Sequence, residues 1–314
     1  MAAPARIPSV VFFDLDDTLF AHRGAVADGI LRYLAALGGP FDGVDQGGAV
    51  ALWQELEERH YHSYLAGRLD FPGQRRERAR DFAAAHGVPL TDQEAAAWFG
   101  AYFEHYRASW RLHDDALPCL AALEGEFPGI RFGLITNGER SHQQPKLDRT
   151  GLGDRVERVI TSAAFGAAKP DRRIFEHACA VFGVAAADAV YVGDRIRTDA
   201  IGAAAAGLTA VWLDRREAAV DPADAADAAR LGVLRITGLA ELPALLTAPR
   251  PPPAGLGRSR PVSAGLGTSR HVPSRPSDVH NSCNLSRPGR AAPDSRGGAS
   301  DRPESAGVMR DPPA

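Results

Sequence analysis

A chain of 314 residues with 45% hydrophobic side chains exceeds one ordinary domain and can fill a sizeable core, so two domains, or one with a large insertion, is the expectation. A formal net charge of -3 with a pI near 6.4 argues against a nucleic-acid binder held by phosphate contacts, and three scattered cysteines without a CxxC suggest neither a disulfide framework nor a zinc site. No stretch approaches a membrane span, the first apolar run is too short for a signal sequence, and a reducing cytoplasm is the expected compartment.

That first run, 10–13 (Val-Val-Phe-Phe), reads as a buried strand, and Asp14-Leu15-Asp16-Asp17-Thr18 follows at once. Carboxylates this crowded repel one another, and burial raises the cost, so a cation or specific donors should accompany them. A solvated acidic turn is the competing reading of this stretch alone. From 22 to 111 no convincing strand occurs. Trp53, Leu56, His60 and Tyr64 follow helical spacing, as do Ala95, Trp98, Tyr102 and Tyr106, and Thr91 with Glu94 forms a capping box. The aromatic stripe reads as the core of an inserted helical bundle. His60 and His62, two apart on a helix, do not share a face and make no metal pair.

The strand rhythm then resumes. Expected strands at 132–136, 156–162, 190–192, 210–213 and 233–236 alternate with helical stretches such as 171–182 and 198–206, the pattern of a parallel α/β sheet with helices on both faces. In such sheets ligands bind beyond the carboxyl ends of the strands, near the point where strand order reverses. Polar clusters fall at those ends: Thr136-Asn137-Gly138 after one strand, and Gly193-Asp194-Arg195 after another, with Asp199 beyond. Lys169-Pro170-Asp171 stands just ahead of a helix. Of 36 basic residues only Lys146 and Lys169 are lysines, which suggests that Lys169 serves where a compact ammonium is wanted; Lys146 reads as a helix-surface residue. Asp17 and Asp171 read as loop and helix-start acids, and Asp199 equally as an acid favoured by a helix N-terminus. From 249 to 314 Pro, Ser, Gly and Arg dominate, and the expectation is a disordered tail. Counted from 250, it carries ten arginines against five acids, leaving a net charge of -8 for the rest.

DxDxT at Asp14–Asp16–Thr18, Thr136-Asn137-Gly138, Lys169-Pro170 and Gly193-Asp194 with Asp199, in this order, resemble the four motifs of the haloacid dehalogenase (HAD) superfamily, and the insertion resembles the helical cap of its C1 class. The resemblance spans about residues 8 to 215. It implies a Rossmann-like core at 1–21 and 112–248 with a cap at 22–111. It further implies a Mg²⁺-dependent phosphatase acting on a small-molecule phosphate monoester. Asp14 would be the nucleophile that forms an aspartyl-phosphate, and Asp16 the general acid and later base, kept protonated near neutrality by a neighbouring carboxylate. Thr136 and the Asn137 main-chain N–H would bind the phosphoryl oxygens, and Lys169 would neutralise the nucleophile and that group. Mg²⁺ would be held by Asp14, the Asp16 carbonyl and Asp194, with Thr18 and Asp199 in support. The acid at Asp16 points away from carbon–halogen displacement, and a lysine-free insertion points away from phosphonate hydrolysis; a phosphomutase, or a binding module on this scaffold, stays open. Substrate contacts would come from His22 and Arg23 and, across the cap, from Tyr61, Tyr64, Arg68, Arg75, Arg76 and Arg78, for which a solvated helical face is the competing expectation. Cap motion would hinge near residues 21–24 and 111–115.

Overall fold

The computed structural model describes residues 7–217 and 219–248. Six strands, β1 (Val10–Phe13), β2 (Arg131–Thr136), β3 (Arg158–Thr161), β4 (Ala189–Gly193), β5 (Thr209–Leu213) and β6 (Leu234–Ile236), form one parallel sheet in the order β3-β2-β1-β4-β5-β6. Strand order reverses between β1 and β4, so the crevice of this sheet opens beyond the end of β1. All four residues of β1 are fully buried, because both faces of a parallel sheet are covered. Alternate side chains divide the core. Val11 and Phe13 face α5 (Ala116–Glu126), α6 (Arg140–Thr150) and α11 (Leu242–Thr247) through Leu120, Leu147 and Leu242. Val10 and Phe12 face α8 (Arg172–Phe182) and α9 (Gly202–Ala205) through Ile174, Phe182 and Ala203. Two further helices, α7 (Ser162–Phe165) and α10 (Pro222–Leu231), complete this part of the chain.

Between β1 and β2 the chain builds α1 (His22–Leu37), α2 (Gln46–Leu65), α3 (Phe71–Ala85) and α4 (Asp92–Ala108). Their starts are set locally: Asp45 and Asp70 accept hydrogen bonds from first-turn N–H groups, and the expected Thr91–Glu94 capping box is formed. Trp53 sits at the centre with no exposed surface, edge-on to Phe82, Trp98 and Tyr102 at 5.2, 5.3 and 4.6 Å between ring centroids. Gly29 lets α1 approach α4, since a Cβ there would lie 2.7 Å from the Tyr106 Cα. His60 is buried against Asp81 at 2.9 Å, as a core histidine should be. The two connections to the sheet bind each other, with Ala21 N–H donating to the Arg111 carbonyl (3.0 Å) and His113 N–H to that of Leu19 (2.8 Å).

One expected helix is altered. The stretch 198–206 opens as a wide π-type turn, Ile196–Ile201, before α9, with Ala200 N–H reaching the Arg195 carbonyl five residues back. Asp199 causes part of this, because its carboxylate folds back onto the Arg195 N–H at 3.0 Å. Such turns recur at functional sites. The expected disordered tail at 249–314 lies outside the described residues. No helix among those described is long and apolar enough to cross a membrane.

Candidate active site

The strand register aligns Phe13 with Leu134 and Val192, so the residues after β1 and those ending β2 and β4 reach one level. Asp14 N–H donates to the Val192 carbonyl (2.9 Å), which fixes the first carboxylate at the mouth of the crevice. Asp14 is 7% exposed and Lys169 5%. Lys169 Nζ donates to Asp14 Oδ1 (2.6 Å), Asp199 Oδ1 (2.7 Å) and the Tyr191 hydroxyl (2.8 Å), using all three of its hydrogens. Thr18, fully buried, places its hydroxyl 3.4 Å from Asp14 Oδ2. Gly193 is required here: a Cβ would lie 2.5 Å from the Asp199 Cγ. Asp199 is thus a buried partner of Lys169, more than a helix-end acid.

Thr136, at the end of β2, accepts at Oγ1 from Gly138 N–H (3.1 Å) and Gln143 Nε2 (3.0 Å), which leaves its hydroxyl hydrogen free to donate into the crevice. The Asn137 side chain grips the Lys169 backbone from both sides, accepting from its N–H (2.8 Å) and donating to its carbonyl (3.0 Å). Asn137 therefore positions Lys169, a part that its expected main-chain contact did not include.

Two expectations are corrected around Asp16. Lys146 is not a surface residue; it is 7% exposed, on the inner face of α6, with Nζ 2.5 Å from Asp16 Oδ1. Gln143, one turn earlier, donates to Asp16 Oδ2 (2.8 Å). Nor does a neighbouring carboxylate keep Asp16 protonated. Burial pushes its pKa up, but Lys146, then His22 at 3.8 Å, outweigh it and bring the group down to about 2. A depressed carboxyl contributes stability that is complete above its unfolded value near 3.8 and is lost as pH falls through about 2. Lys146→Met should therefore lower Tm near neutral pH and flatten its fall across that acid window; a variant whose Tm tracks the wild type from neutral to strongly acidic solution would contradict the pairing. Asp17, at φ 61, turns the chain so that its carboxylate accepts from Arg23 N–H (2.8 Å). Asp171 caps α8, accepting from Arg173 N–H, as a helix-start acid should.

Helices α1 to α4 close the other side of a cavity of about 400 Å³ that also contains Asp14, Asp194 and Lys169. His22 lies 3.0 Å from the Tyr106 hydroxyl and 3.4 Å from Glu57, and Arg23 lies 3.5 Å from Asp17 and 3.8 Å from Glu58. Burial lowers the His22 pKa, yet Glu57 and Asp16 raise it above the ordinary value. The expectation of a solvated arginine face fails for two residues. Arg78 is buried over Trp53 at 3.8 Å and paired with Glu57 at 2.9 Å, and Arg75 lies over Phe71 at 4.3 Å; both line the cavity. Tyr61 and Tyr64 line it too. Arg68 and Arg76 do not reach it; they bind Ser63 and Asp70.

Asp14, Asp194 and Asp199 offer carboxylate oxygens all within 4.8 Å of one another, a group that could hold a metal ion. Burial, then Lys169 in opposition, then Asp199 leave Asp14 raised to about 6, and burial with Asp14 and Asp199 lifts Asp194 well above its usual range. The Asp194 carboxylate has no hydrogen bond or ion pair among the described residues, its main-chain carbonyl alone accepting from the Trp212 indole N–H (3.0 Å), whereas the Asp199 carboxylate is saturated by Lys169, Tyr191 and Arg195 N–H. One ammonium among three carboxylates, two of them buried and Asp194 half-buried, leaves negative charge uncompensated, which suits a hard, oxygen-seeking cation between Asp14 and Asp194.

The family model for haloacid dehalogenase-like hydrolases matches residues 8–207. The phosphoserine phosphatase of Thermus thermophilus is 38% identical over 157 residues, which span 50% of this chain and 60% of that one, so the chain covers less than two thirds of that relative. The glyceraldehyde 3-phosphate phosphatase of Pyrococcus abyssi is 31% identical over 217 residues, 65% of this chain and 80% of that one. In fold, the chain is similar to the magnesium-bound HAD-hydrolase YfnB of Bacillus subtilis, with a TM-score of 0.62 at 18% identity over 77% of this chain and 100% of that one. Since the family match runs from just before β1 to the end of the turn after α9, it takes in every strand end that meets at Asp14, and the chain belongs to the haloacid dehalogenase-like hydrolase family.

Proposed function

We propose that the protein is a Mg²⁺-dependent phosphatase that hydrolyses a small-molecule phosphate monoester through an aspartyl-phosphate on Asp14. The observation that carries the reading is Asp14 itself: a buried carboxylate with Oδ1 held by Lys169 and Oδ2 only loosely met by the Thr18 hydroxyl, in a cavity that Asp194 and Thr136 also line. Phosphatases among the relatives, and the magnesium in the structural neighbour, support it. Asp14, Asp194 and the main-chain carbonyl of Asp16 would hold the ion, which when bound offsets the charge of the phosphoryl group and of the carboxylates around it.

Asp14 Oδ2 forms a bond to phosphorus as the bond to the ester oxygen breaks. Asp16 gives its proton to the departing alcohol, then takes one from the water that attacks phosphorus and frees Asp14. Thr136 and the Asn137 N–H donate to the phosphoryl oxygens, and Lys169 holds the nucleophile. Asp16 is ionised against Lys146 in this structure, and a dianionic phosphoryl group arriving beside it supplies the like-charge repulsion that favours its acid form. Thr18 and Asp199 hold Asp14 and Lys169 in place, and His22 and Arg23 bound the substrate.

The test is phosphate release from an aryl phosphate with and without Mg²⁺; release expected only with the ion, and none under either condition would end the reading. Thermal stability gives an independent check. Asp14 binds its proton at about 6 when folded against 3.8 unfolded, so without a cation the folded state holds more protons across that window and loses stability as pH rises through it. Saturating Mg²⁺ at neutral pH should reverse that loss and raise Tm, by roughly 3 kcal/mol of stability at a hundredfold excess over Kd. A Tm indifferent to Mg²⁺ at neutral pH would contradict a site at Asp14 and Asp194.

A further inference from the structure

The cavity lets its cations be compared one by one. Lys169 is bound by Asp14 and Asp199, Lys146 by Asp16, Arg78 by Glu57, Arg195 by Glu58 at 2.8 Å, and Arg23 by Asp17 and Glu58. The Arg75 guanidinium alone among them has no hydrogen bond or ion pair with any described residue. Its guanidinium carbon lies 4.3 Å from the centroid of Phe71, 5.1 Å from that of Phe103 and 5.4 Å from that of Phe99. Glu139, a carboxylate near enough to act on Arg75, is turned to the Tyr64 hydroxyl (3.4 Å) and to His142 (3.8 Å).

Aromatic faces fix the plane of a guanidinium and strip its water without neutralising it. A half-buried, unpaired cation is costly unless an anion completes it. Burial accordingly pulls the Arg75 pKa below its ordinary value. In the phosphatase reading the phosphoryl end of a substrate is already accounted for by Lys169, Thr136 and the ion that Asp14 and Asp194 would hold, all in the same cavity. What Arg75 awaits is a second anion at the remote end of the same molecule.

We propose that Arg75 is the receptor for a carboxylate on the substrate, so that the preferred ester is the phosphate of a small hydroxy acid or hydroxy amino acid; this rests on the phosphatase reading above. A carboxylate matches the two parallel N–H groups of one guanidinium and its single charge. A second phosphate, a dianion, would need another free cation, and among the described residues the cavity offers none.

The test uses pairs of esters that differ only at that group: O-phosphoserine against O-phosphoethanolamine, and 3-phosphoglycerate against glycerol 3-phosphate. The ratio of kcat/KM within each pair is read for the wild type, Arg75→Met and Arg75→Lys. A charged hydrogen-bonded contact should favour the carboxylate-bearing member by about tenfold or more. That ratio should fall toward one in Arg75→Met and partly survive in Arg75→Lys. Equal rates within each pair in the wild type, an unchanged ratio in Arg75→Met, or a bisphosphate that outcompetes the carboxylate-bearing ester would each overturn the assignment. The same pairs titrated onto Asp14→Asn protein, by calorimetry, read the preference without turnover. Should no ester at all be hydrolysed, the phosphatase reading fails while the binding ratio still decides Arg75.

Discussion

Asp14→Asn should reduce phosphate release by about four orders of magnitude or more, the scale seen when a covalent nucleophile is removed from a preorganised site. Asparagine keeps the shape of the side chain and can still meet Thr18, so the fold should persist with a far-ultraviolet spectrum like that of the wild type. What it lacks is the anionic oxygen that attacks phosphorus. The loss should appear in kcat, because the cavity walls that hold the rest of the ester are untouched. The Mg²⁺-induced rise in Tm should shrink as well, since one of the two carboxylates that would hold the ion has gone. Undiminished turnover, measured at saturating ester and Mg²⁺, would remove Asp14 from the chemistry.

Lys169→Met should have the second largest effect, and it should act on stability and rate together. Lys169 is a fully engaged buried ammonium; although burial alone would lower its pKa, Asp14 and Asp199 hold it above the ordinary value. Removing one partner of a buried ion pair typically costs about 3–5 kcal/mol, because the charges left behind have nothing to answer them. Here two carboxylates and the Tyr191 hydroxyl lose their common partner. Asp14 should then take a proton at higher pH than before, and the protonated acid is a poor nucleophile, so the rate should fall by at least about a hundredfold near neutrality. Denaturant unfolding and phosphate release measured on the same protein separate the two losses. A variant as stable and as active as the wild type would show that Lys169 is a bystander.

The sheet was legible because its strands are continuous apolar runs that end in polar clusters, and a run such as 10–13 has few other uses. The same locality explains why Asp14, Thr136, Lys169 and Asp194 could be named together. Each stands within three residues of a strand end or helix start, and strand order does the rest. Lys146 was harder. Its contact with Asp16 joins residues 130 apart in the chain, and the only local trace was that a chain rich in arginine kept a lysine there, three residues after Gln143 on the same helical face. The protonation state of Asp16 followed the same course: its neighbours in sequence are acids, while its neighbours in space are Lys146, Gln143 and His22.

Arg75 and Arg78 show the limit most clearly. Three apart on α3, they are indistinguishable by helical spacing, yet Glu57 from α2 neutralises one and leaves the other bare. That difference depends on how two helices of the insertion cross, which no local pattern carries. Tyr191 is similar, a strand residue whose hydroxyl turns out to hold Lys169 and Asp199 from beneath.

The covalent step is open to direct reading. Borohydride reduces an aspartyl-phosphate to homoserine, so protein quenched with it during turnover of an aryl phosphate should yield a peptide carrying homoserine at position 14 by mass spectrometry, and no such peptide without ester. Steady phosphate release with aspartate intact at position 14, or homoserine at another position, would contradict the account.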